Sequence, residues 1–323
     1  MIIVTGGAGF IGSALVWRLN QRSVKNIIIV DHLGTSEKWK NLTSLSFADY
    51  IDKTDFITSL EAGKFGDTIE GIVHLGACSS TTEQDAGYLM ENNYRYTLRL
   101  AQWQEANPSA RFIYASSAAT YGNGEHGYSD DESKLHLLRP LNMYGYSKHL
   151  FDCVALQKGW LKQIAGLKFF NVFGPNENHK GTMRSVINKA YPQVRDKGPI
   201  SLFKSYNPNY ADGEQLRDFI YIKDAVEMII YFLENSQING IYNIGTGKAR
   251  SWNDVAVSIF KAVNKKPAIS YIDMPNELRN KYQYFTQADM TKLNAAGCTV
   301  SCRSLEDSIL DYVNNYLANE LLL

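Results

Sequence analysis

Ile2-Ile3-Val4-Thr5-Gly6-Gly7-Ala8-Gly9-Phe10-Ile11-Gly12 opens the chain with a β-branched run, a glycine-rich turn and the start of a helical pattern that continues from Ser13 to about Arg22. Glycines spaced as Gly6-x-x-Gly9-x-x-Gly12, between a strand and a helix, have the context that a dinucleotide loop requires. Gly6 permits the tight turn, Gly9 lets the backbone approach a pyrophosphate, and Gly12 allows close packing of helix on sheet. Free N–H groups at the helix start, with the helix dipole, then hold the diphosphate. A second buried run, Ile27-Ile28-Ile29-Val30, ends at Asp31, 19 residues beyond Gly12. A carboxylate there accepts hydrogen bonds from an adenosine ribose. Taken alone, Asp31 favours NAD, because a 2′-phosphate would meet like charge. Lys38 and Lys53 can neutralise such a phosphate, which leaves NADP open.

Working outward, Ile72–Leu75, Phe112–Ala115 and Leu167–Phe170 are apolar runs of strand length, and helical stretches lie near Gly87–Glu105 and Ser147–Trp160. Strand and helix alternating in this way predict an α/β fold, a Rossmann-type doubly wound parallel sheet covered on both faces. After Asn171 the texture changes. Gly, Pro, Asn and Lys crowd Gly174–Gly181, and a loop rich in Tyr, Asn and Pro covers Ser205–Gln215. Asp218–Asp224 and Ile241–Gly245 read as returns to strand, and helices follow at about Ser251–Val263 and Leu305–Leu317. The expected layout is a dinucleotide-binding domain over residues 1–170, to which segments near 218–248 return, and a smaller, interleaved C-terminal substrate lobe over 171–323.

Composition narrows the function classes. The chain has 323 residues, 45% apolar and 20% charged, which is a globular balance with room for one large domain and a lobe. With 33 basic and 33 acidic residues the formal charge is zero, against a nucleic-acid binder that relies on overall charge. No apolar stretch approaches the roughly 18 residues of a membrane span. A strand starting at Ile2 leaves no room for a secretory signal, so a cytoplasmic enzyme is expected. Cys298-x-x-x-Cys302 has no nearby His or second Cys pair to complete a zinc shell, and Cys78 and Cys153 stand apart, so reduced thiols and no metal are expected.

Chemistry enters with Asn142-Met143-Tyr144-Gly145-Tyr146-Ser147-Lys148. Tyr-x-x-x-Lys puts a phenol and an ammonium one turn apart on one helix face. A phenol titrates near pH ~10 in isolation, and a fixed cation beside it favours the phenolate. Tyr114-Ala115-Ser116-Ser117 ends a strand where an open α/β sheet presents its active crevice. Ser117, with Ser116 second, can hydrogen-bond the substrate oxygen from which Tyr144 removes a proton. Beside a dinucleotide loop, this trio points to nicotinamide-dependent redox chemistry on an alcohol.

Together, Thr5–Gly12, Ser116-Ser117, Tyr144-x-x-x-Lys148 and Arg217-Asp218-Phe219-Ile220-Tyr221 resemble the extended short-chain dehydrogenase/reductase superfamily over nearly the whole chain. That resemblance implies that Lys148 also binds the nicotinamide ribose and that the substrate is a nucleotide sugar. Four further blocks, in order and far apart, resemble the ADP-L-glycero-D-manno-heptose 6-epimerases: His74–Glu83, Tyr114–Gly122, His179-Lys180-Gly181-Thr182-Met183 and Tyr282–Asp289. This narrower resemblance implies NADP as a tightly held cofactor, with NAD less favoured. It also implies a homo-oligomer, commonly a pentamer, and a role in bacterial lipopolysaccharide inner-core synthesis. To the cofactor it assigns Phe10, Ile11, Asp31, His32, Lys38, Lys53, Leu75, Gly76, Ala77, Cys78, Ser79, Asn92, Lys148 and Val172, with Lys180 beside them. Asn171, Thr182, Lys189, Phe203, Lys204, Ser205, Tyr206, Arg217 and Tyr282 are assigned to the ADP-heptose substrate. Thr182 and Lys189 stand where many members carry Ser and His, and the Ser205–Gln215 loop is longer than in the shortest members.

The implied reaction is inversion at C6 of the heptose by transient oxidation. A secondary alcohol offers no easily removed α-proton, and rotation of the short C6–C7 end would present the opposite face to the same nicotinamide. Rotation moves the oxygen, so a second acid/base is useful: Tyr144 for one epimer and Lys180 for the other, the latter with a proton affinity lowered by burial. Arg217 suits bidentate binding of the ADP diphosphate. Two other readings compete. A nucleotide-sugar 4-epimerase would use the same trio, and a non-catalytic NADP-sensing protein would need only the glycine loop. A 4,6-dehydratase needs a carboxyl group just past the serine site, where Ala118-Ala119-Thr120 has none.

Overall fold

The computed structural model describes residues 1–196, 198–279 and 282–323. The first half of the chain supplies strands β1 (Ile2–Thr5), β2 (Ile27–Asp31), β3 (Asp49–Asp52), β4 (Gly71–His74), β5 (Arg111–Ser117) and β6 (Ala165–Phe169). The second half adds β7 (Asn171–Phe173), β8 (Ile200–Phe203), β9 (Leu216–Tyr221), β10 (Gly240–Ile244), β11 (Ala249–Ser251) and β12 (Ile269–Ile272). Seven of them form one sheet in the order β10-β6-β5-β4-β1-β2-β3, and each neighbouring pair is parallel.

Apolar side chains on both sides of these strands explain the layering. Ile3, Ile28, Ile72 and Phe112 point into one buried cluster, while their neighbours Val4, Ile29, Val73 and Ile113 point into the other. Successive strand residues face opposite sides, so a run without polar alternation must be covered twice. Helices α1 (Phe10–Gln21), α2 (Lys53–Glu61), α3 (Ala86–Leu89), α4 (Tyr96–Ala106), α5 (Met143–Gln157), α6 (Val186–Arg195), α7 (Ile222–Glu234) and α8 (Trp252–Ala262) provide that cover and build the lobe. Strand order reverses at β1, flanked by β2 and β4, and the crevice beyond its C-terminal end is where such sheets bind ligands.

Of the segment 218–248, β10 fills the sheet edge beside β6, with Ile244 opposite Phe169. Helix α7 packs on α1, where Arg22 bridges Glu227 at 2.7 Å and Glu234 at 2.6 Å. Strand β9 stays outside the main sheet and lies between β7 and β11 in a three-stranded sheet, while β8 pairs with β12.

Of the boundaries that differ from the sequence pattern, two bear on the site. The run expected as a strand to Asp224 ends at Tyr221, because Ile222, Ala225, Val226, Ile229 and Ile230 bury one helical face from Ile222 onward. Helix α5 begins at Met143 rather than Ser147, because the Asn142 side chain accepts the Gly145 N–H at 2.8 Å and caps it.

Candidate active site

The glycine loop is shaped by close backbone contacts. Gly6 has φ +68°, and a Cβ there would lie 2.6 Å from the Gly76 nitrogen. A Cβ on Gly12 would lie 2.1 Å from the Gly6 carbonyl oxygen. The loop 75–79 after β4 therefore lies directly against the loop after β1. Gly9 is the N-cap of α1 and no side chain caps the helix, so its first N–H groups face outward.

Three cavities with shared walls follow this crevice. The first, about 130 Å³, is lined by Gly6, Asp31, His32, Lys38, Lys53, Gly76, Ala77 and Asn92. The second, about 400 Å³, is lined by Gly6, Gly9–Gly12, Asp31, Lys38, Leu75–Ser79 and Lys180. The third, about 510 Å³, is lined by Phe10, Ile11, Ser79, Ser117, Tyr144, Asn171, Val172, Lys180, Thr182, Lys189 and Tyr282. A cradle floored by Gly6, Gly9 and Gly12 at a helix start, between a small pocket at the end of β2 and a larger one holding Tyr144, fits an extended dinucleotide.

Asp31 is not a free acceptor. Its Oδ2 accepts the Ala8 N–H at 2.9 Å, and its Oδ1 accepts the His32 N–H at 2.7 Å and the Lys38 ammonium at 2.6 Å. Its charge is thus offset inside the first cavity. Lys53 donates to Asn92 at 2.5 Å, and the His32 ring pairs with Asp52 at 3.0 Å.

Ser117 ends β5, and Tyr144 and Lys148 come from the first turns of α5. Gly145 makes this approach possible, since a Cβ there would sit 2.7 Å from the Ala119 carbonyl oxygen. Helix α5 thereby touches the turn that follows Ser117. Burial pushes the Tyr144 phenol above its ordinary value, and the neighbouring Ser117 hydroxyl opposes that shift. The expected lowering of the phenol by Lys148 does not appear: the Lys148 ammonium is not among the groups that move it. Lys148 is instead pushed down to about 8 by burial, against the Asp152 carboxylate, which supports its charge. Burial, with the Lys148 charge, also holds His74 well below the usual histidine range. The His74 ring bridges Thr5 at 2.5 Å and Thr97 at 2.9 Å.

Lys180 lies in the turn Asn178–Met183, with its ammonium 5.3 Å from the centre of the Phe10 ring. It walls both the cradle and the Tyr144 cavity. Burial lowers its proton affinity and the Glu177 carboxylate resists. Lys189 donates to the Thr182 carbonyl at 3.2 Å, which brings these two residues together. Arg217 is buried, 5.0 Å from the Tyr282 ring, and Tyr282 accepts the Trp252 indole N–H at 2.9 Å. Among the described residues no carboxylate pairs with Arg217. Asp218 is engaged by Thr246, Gly247 and Ala288, and Asp224 by the Arg303 N–H.

Phe203, Lys204, Ser205 and Tyr206 are not among the residues that line the cavity, and neither are Lys148 and Arg217. Lys204 pairs with Asp273 at 3.2 Å, the Tyr206 hydroxyl donates to Asp273 at 2.9 Å, and Arg279 stacks 3.8 Å over the Tyr206 ring. The Ser205 N–H is taken by Asp212 at 2.7 Å, which folds the long loop onto itself.

Sequence reasoning missed Asn93. It is buried in a π-helical turn, Met90–Arg95, between α3 and α4. Its side chain accepts the Cys78 N–H at 2.8 Å, donates to the Cys78 carbonyl at 3.0 Å and donates to Ser147 at 3.0 Å. One amide thus ties the cofactor-side loop to α5. Asn41 does the same on the other flank, donating to the Ala8 and Asn176 carbonyls at 3.0 and 3.1 Å and contacting His179 at 3.2 Å. The Asn92-Asn93 doublet was the only local signal for the first, and no motif flagged the second.

A family model described as the NAD dependent epimerase/dehydratase family matches residues 2–245. The ADP-L-glycero-D-manno-heptose-6-epimerase of Nitratidesulfovibrio vulgaris (strain DP4) is 55% identical over 318 residues, 98% of each chain. The crystal structure of the enzyme of the same name from Helicobacter pylori superposes with a TM-score of 0.78 at 27% identity, covering 97% of this chain and 95% of that one. A UDP-glucuronic acid 4-epimerase from Bacillus cereus, solved with UDP-glucuronic acid and NAD, matches at 25% identity and TM-score 0.77 over 97% of this chain and 99% of that one. The cofactor class is therefore a nicotinamide dinucleotide, and the cradle described above accommodates it. The chain belongs to the NAD dependent epimerase/dehydratase family and, within it, to the group of the ADP-L-glycero-D-manno-heptose-6-epimerases.

Proposed function

We propose that the protein interconverts ADP-D-glycero-D-manno-heptose and ADP-L-glycero-D-manno-heptose at C6, with NADP held in the cradle. One observation carries the reading: Tyr144 and Lys180, two separately mounted proton-transfer groups, wall one cavity that opens onto the cofactor cleft. When bound, the nicotinamide supplies reversible hydride acceptance and return at the carbinol carbon. The chain's own groups do the rest. Tyr144 takes the hydroxyl proton of one epimer, and Lys180, in its protonated form, gives a proton to the carbonyl oxygen when the opposite face is reduced; in the reverse direction the two exchange these roles, and solvent restores their protonation between turnovers. Ser117 orients the substrate oxygen, and Lys148 binds the nicotinamide ribose. Arg217, a buried cation without a described carboxylate partner, takes the ADP diphosphate. Asn171, Thr182, Lys189 and Tyr282 line the sugar end.

NADP is favoured over NAD because Lys38 already offsets the Asp31 charge, and Lys53 and His32 share the same small cavity. A 2′-phosphate would then meet cations rather than a bare carboxylate. On this reading the enzyme is a cytoplasmic homo-oligomer, a pentamer, serving lipopolysaccharide core synthesis. Light scattering of the purified protein would measure the oligomer.

The deciding experiment incubates the purified protein with ADP-D-glycero-D-manno-heptose and no added reductant. Both epimers should accumulate to equilibrium while reduced-nicotinamide absorbance stays flat. A lasting absorbance change would mark a dehydrogenase, and turnover of a UDP-hexose but not of the heptose would mark a 4-epimerase.

A further inference from the structure

Asp152 and Lys168 form an ion pair in which both side chains are 0% exposed, with Nζ to Oδ2 at 2.6 Å. The carboxylate is fully engaged: Oδ2 also accepts the Ser116 hydroxyl at 2.7 Å, and Oδ1 accepts the Tyr114 hydroxyl at 2.9 Å. The ammonium donates to the Thr120 hydroxyl at 2.6 Å as well and stands 5.1 Å from the centre of the Tyr121 ring. No member of this cluster is more than 2% exposed, and the active-site cavity is not lined by it.

The elements that meet there are those that carry the proposed chemistry. Asp152 lies one turn beyond Lys148 and two turns beyond Tyr144 on α5, so all three share a helix face. Ser116 precedes Ser117 on β5, and Thr120 belongs to the turn against which Gly145 packs. Lys168 lies in β6, just before Asn171 and Val172 of the cavity wall. A buried ion pair is a poor choice for stability alone, because packed apolar residues of similar volume are often neutral or stabilising in its place. Its partners here specify distances between three separate elements.

We propose that Asp152 and Lys168, with Thr120 and Ser116 as their hydrogen-bond partners, are positioning residues that set the spacing of helix α5 from the end of β5. They thereby hold Tyr144 and Lys148 in register with Ser117. The proposal rests on the reading of Tyr144, Lys148 and Ser117 given above. Asp152 has a second effect through charge: the groups facing the Lys148 ammonium are Asp152 on its own helix, Cys78 on the loop after β4 and His74 on β4. Of these, Asp152 is the carboxylate, and its loss makes Lys148 easier to deprotonate.

The test compares three variants in the full chain: Thr120→Val, Asp152→Asn and the double exchange Asp152→Leu with Lys168→Met. Thr120→Val deletes one bond of the cluster and leaves the ion pair in place, so a folded protein is expected. The double variant trades the ion pair for apolar packing but leaves the Tyr114 and Ser116 hydroxyls without their acceptor, and it should fold with a Tm within several degrees of the parent. Epimerisation kcat should fall by about threefold to tenfold in Thr120→Val and on the order of 10²-fold in the double variant, with KM within about twofold, as expected for a misplaced catalytic group. A second readout needs no substrate. The pH titration of the Lys148 side-chain NMR signals should show its midpoint at lower pH in Asp152→Asn than in the parent. Retention of parental kcat by Thr120→Val and by a folded double variant would overturn the proposal, as would an unmoved Lys148 midpoint in Asp152→Asn. An inactive parent protein with a displaced midpoint would instead count against the assigned reaction.

Discussion

The Lys180 ammonium stands 5.3 Å from the centre of the ring of Phe10, the first residue of helix α1. The turn that carries Lys180 is thereby docked on the helix whose N-terminus forms the cofactor cradle. A loop lysine that merely met solvent phosphate would have no need of this apolar seat. Lys180→Met keeps the length of the side chain and its contact with Phe10 while removing the charge. Turnover is expected to drop by about 10²–10⁴-fold, the usual value of a positioned proton transfer. Cofactor affinity, measured by fluorescence titration, should change by less than about tenfold. A variant with near-parental kcat would exclude Lys180 as an acid/base.

Glu177 governs the same lysine. Its carboxylate is buried, accepts the Ser185 hydroxyl at 2.6 Å and the Tyr312 hydroxyl at 3.1 Å, and favours the protonated form of Lys180. Glu177→Gln keeps an acceptor oxygen and removes the charge. With less opposing burial, the proton affinity of Lys180 falls further. The neutral amine, the form able to accept a proton, then prevails at lower pH. In the direction that uses Lys180 as base, the rising limb of the kcat–pH profile should shift toward acid. A shift toward alkali, or none, would break the link between the two residues.

Much of this architecture was legible in the chain because the decisive features are local. Gly6, Gly9 and Gly12 lie within one turn, and Tyr144 and Lys148 within one helical turn, so spacing alone conveys their geometry. What escaped detection depends on partners far apart in sequence. Asn93 matters through Cys78 and Ser147, and Lys168 through Asp152 and Thr120. Neither shows a periodicity or a motif. Strand β9 was overextended because Ile220-Tyr221-Ile222 is β-branched and aromatic on both sides of the boundary, and only the spacing of Ala225, Val226, Ile229 and Ile230 betrays the helix. The resemblance assigns Phe203–Tyr206 to the substrate, and the structure adds partners the sequence does not show: Asp273 and Arg279, some 70 residues away, engage the Lys204 and Tyr206 side chains.

Lys148 should be costly to the fold. Its proton affinity is lowered from 10.5 to about 8, so below about pH 8 the folded protein carries a buried charge that the unfolded chain solvates better. A folded-state value below the unfolded one, for a base, means that stability falls as pH drops from 10.5 toward 8, and that the penalty is complete and constant below it. The penalty at neutral pH is roughly 3 kcal/mol. Lys148→Met should therefore be inactive yet more stable at pH 7, with the Tm advantage shrinking as pH rises toward the unfolded value. A Tm below that of the parent at pH 7 would show that the ammonium is stabilised by its surroundings.

The small cavity at the end of β2 makes a prediction about cofactor choice. Lys38 and Lys53 line it, and Lys38 is held by Asp31 at 2.6 Å. A hydrogen bond to a charged group contributes about 1.5–3 kcal/mol, equivalent to roughly tenfold to a hundredfold in affinity. Lys53→Met should weaken NADP binding by that factor and leave NAD binding within about twofold. Lys38→Met should do the same to NADP and, by leaving Asp31 without its cation, strengthen the relative preference for NAD. Titration of both cofactors at two salt concentrations checks this, because the NADP advantage should shrink as ionic strength rises. Equal losses for both cofactors would place these lysines away from the 2′ position.

Gly145 offers the most direct test of how the catalytic helix is seated. A Cβ at this position would meet the Ala119 carbonyl oxygen at 2.7 Å and its carbon at 3.2 Å, so backbone has to move. Alanine favours the helix by about 1 kcal/mol over glycine, and on propensity alone Gly145→Ala should be stabilising. The contact sets the opposite demand: α5 must lift from the turn that follows Ser117, taking Tyr144 with it. A displacement near 1 Å is enough to cost on the order of 10²-fold in rate. Gly145→Ala is thus expected to fold, to bind NADP with little change and to lose turnover, mostly in kcat. Parental kcat in this variant would show that the Ala119 turn yields freely and that helix position does not control the phenol.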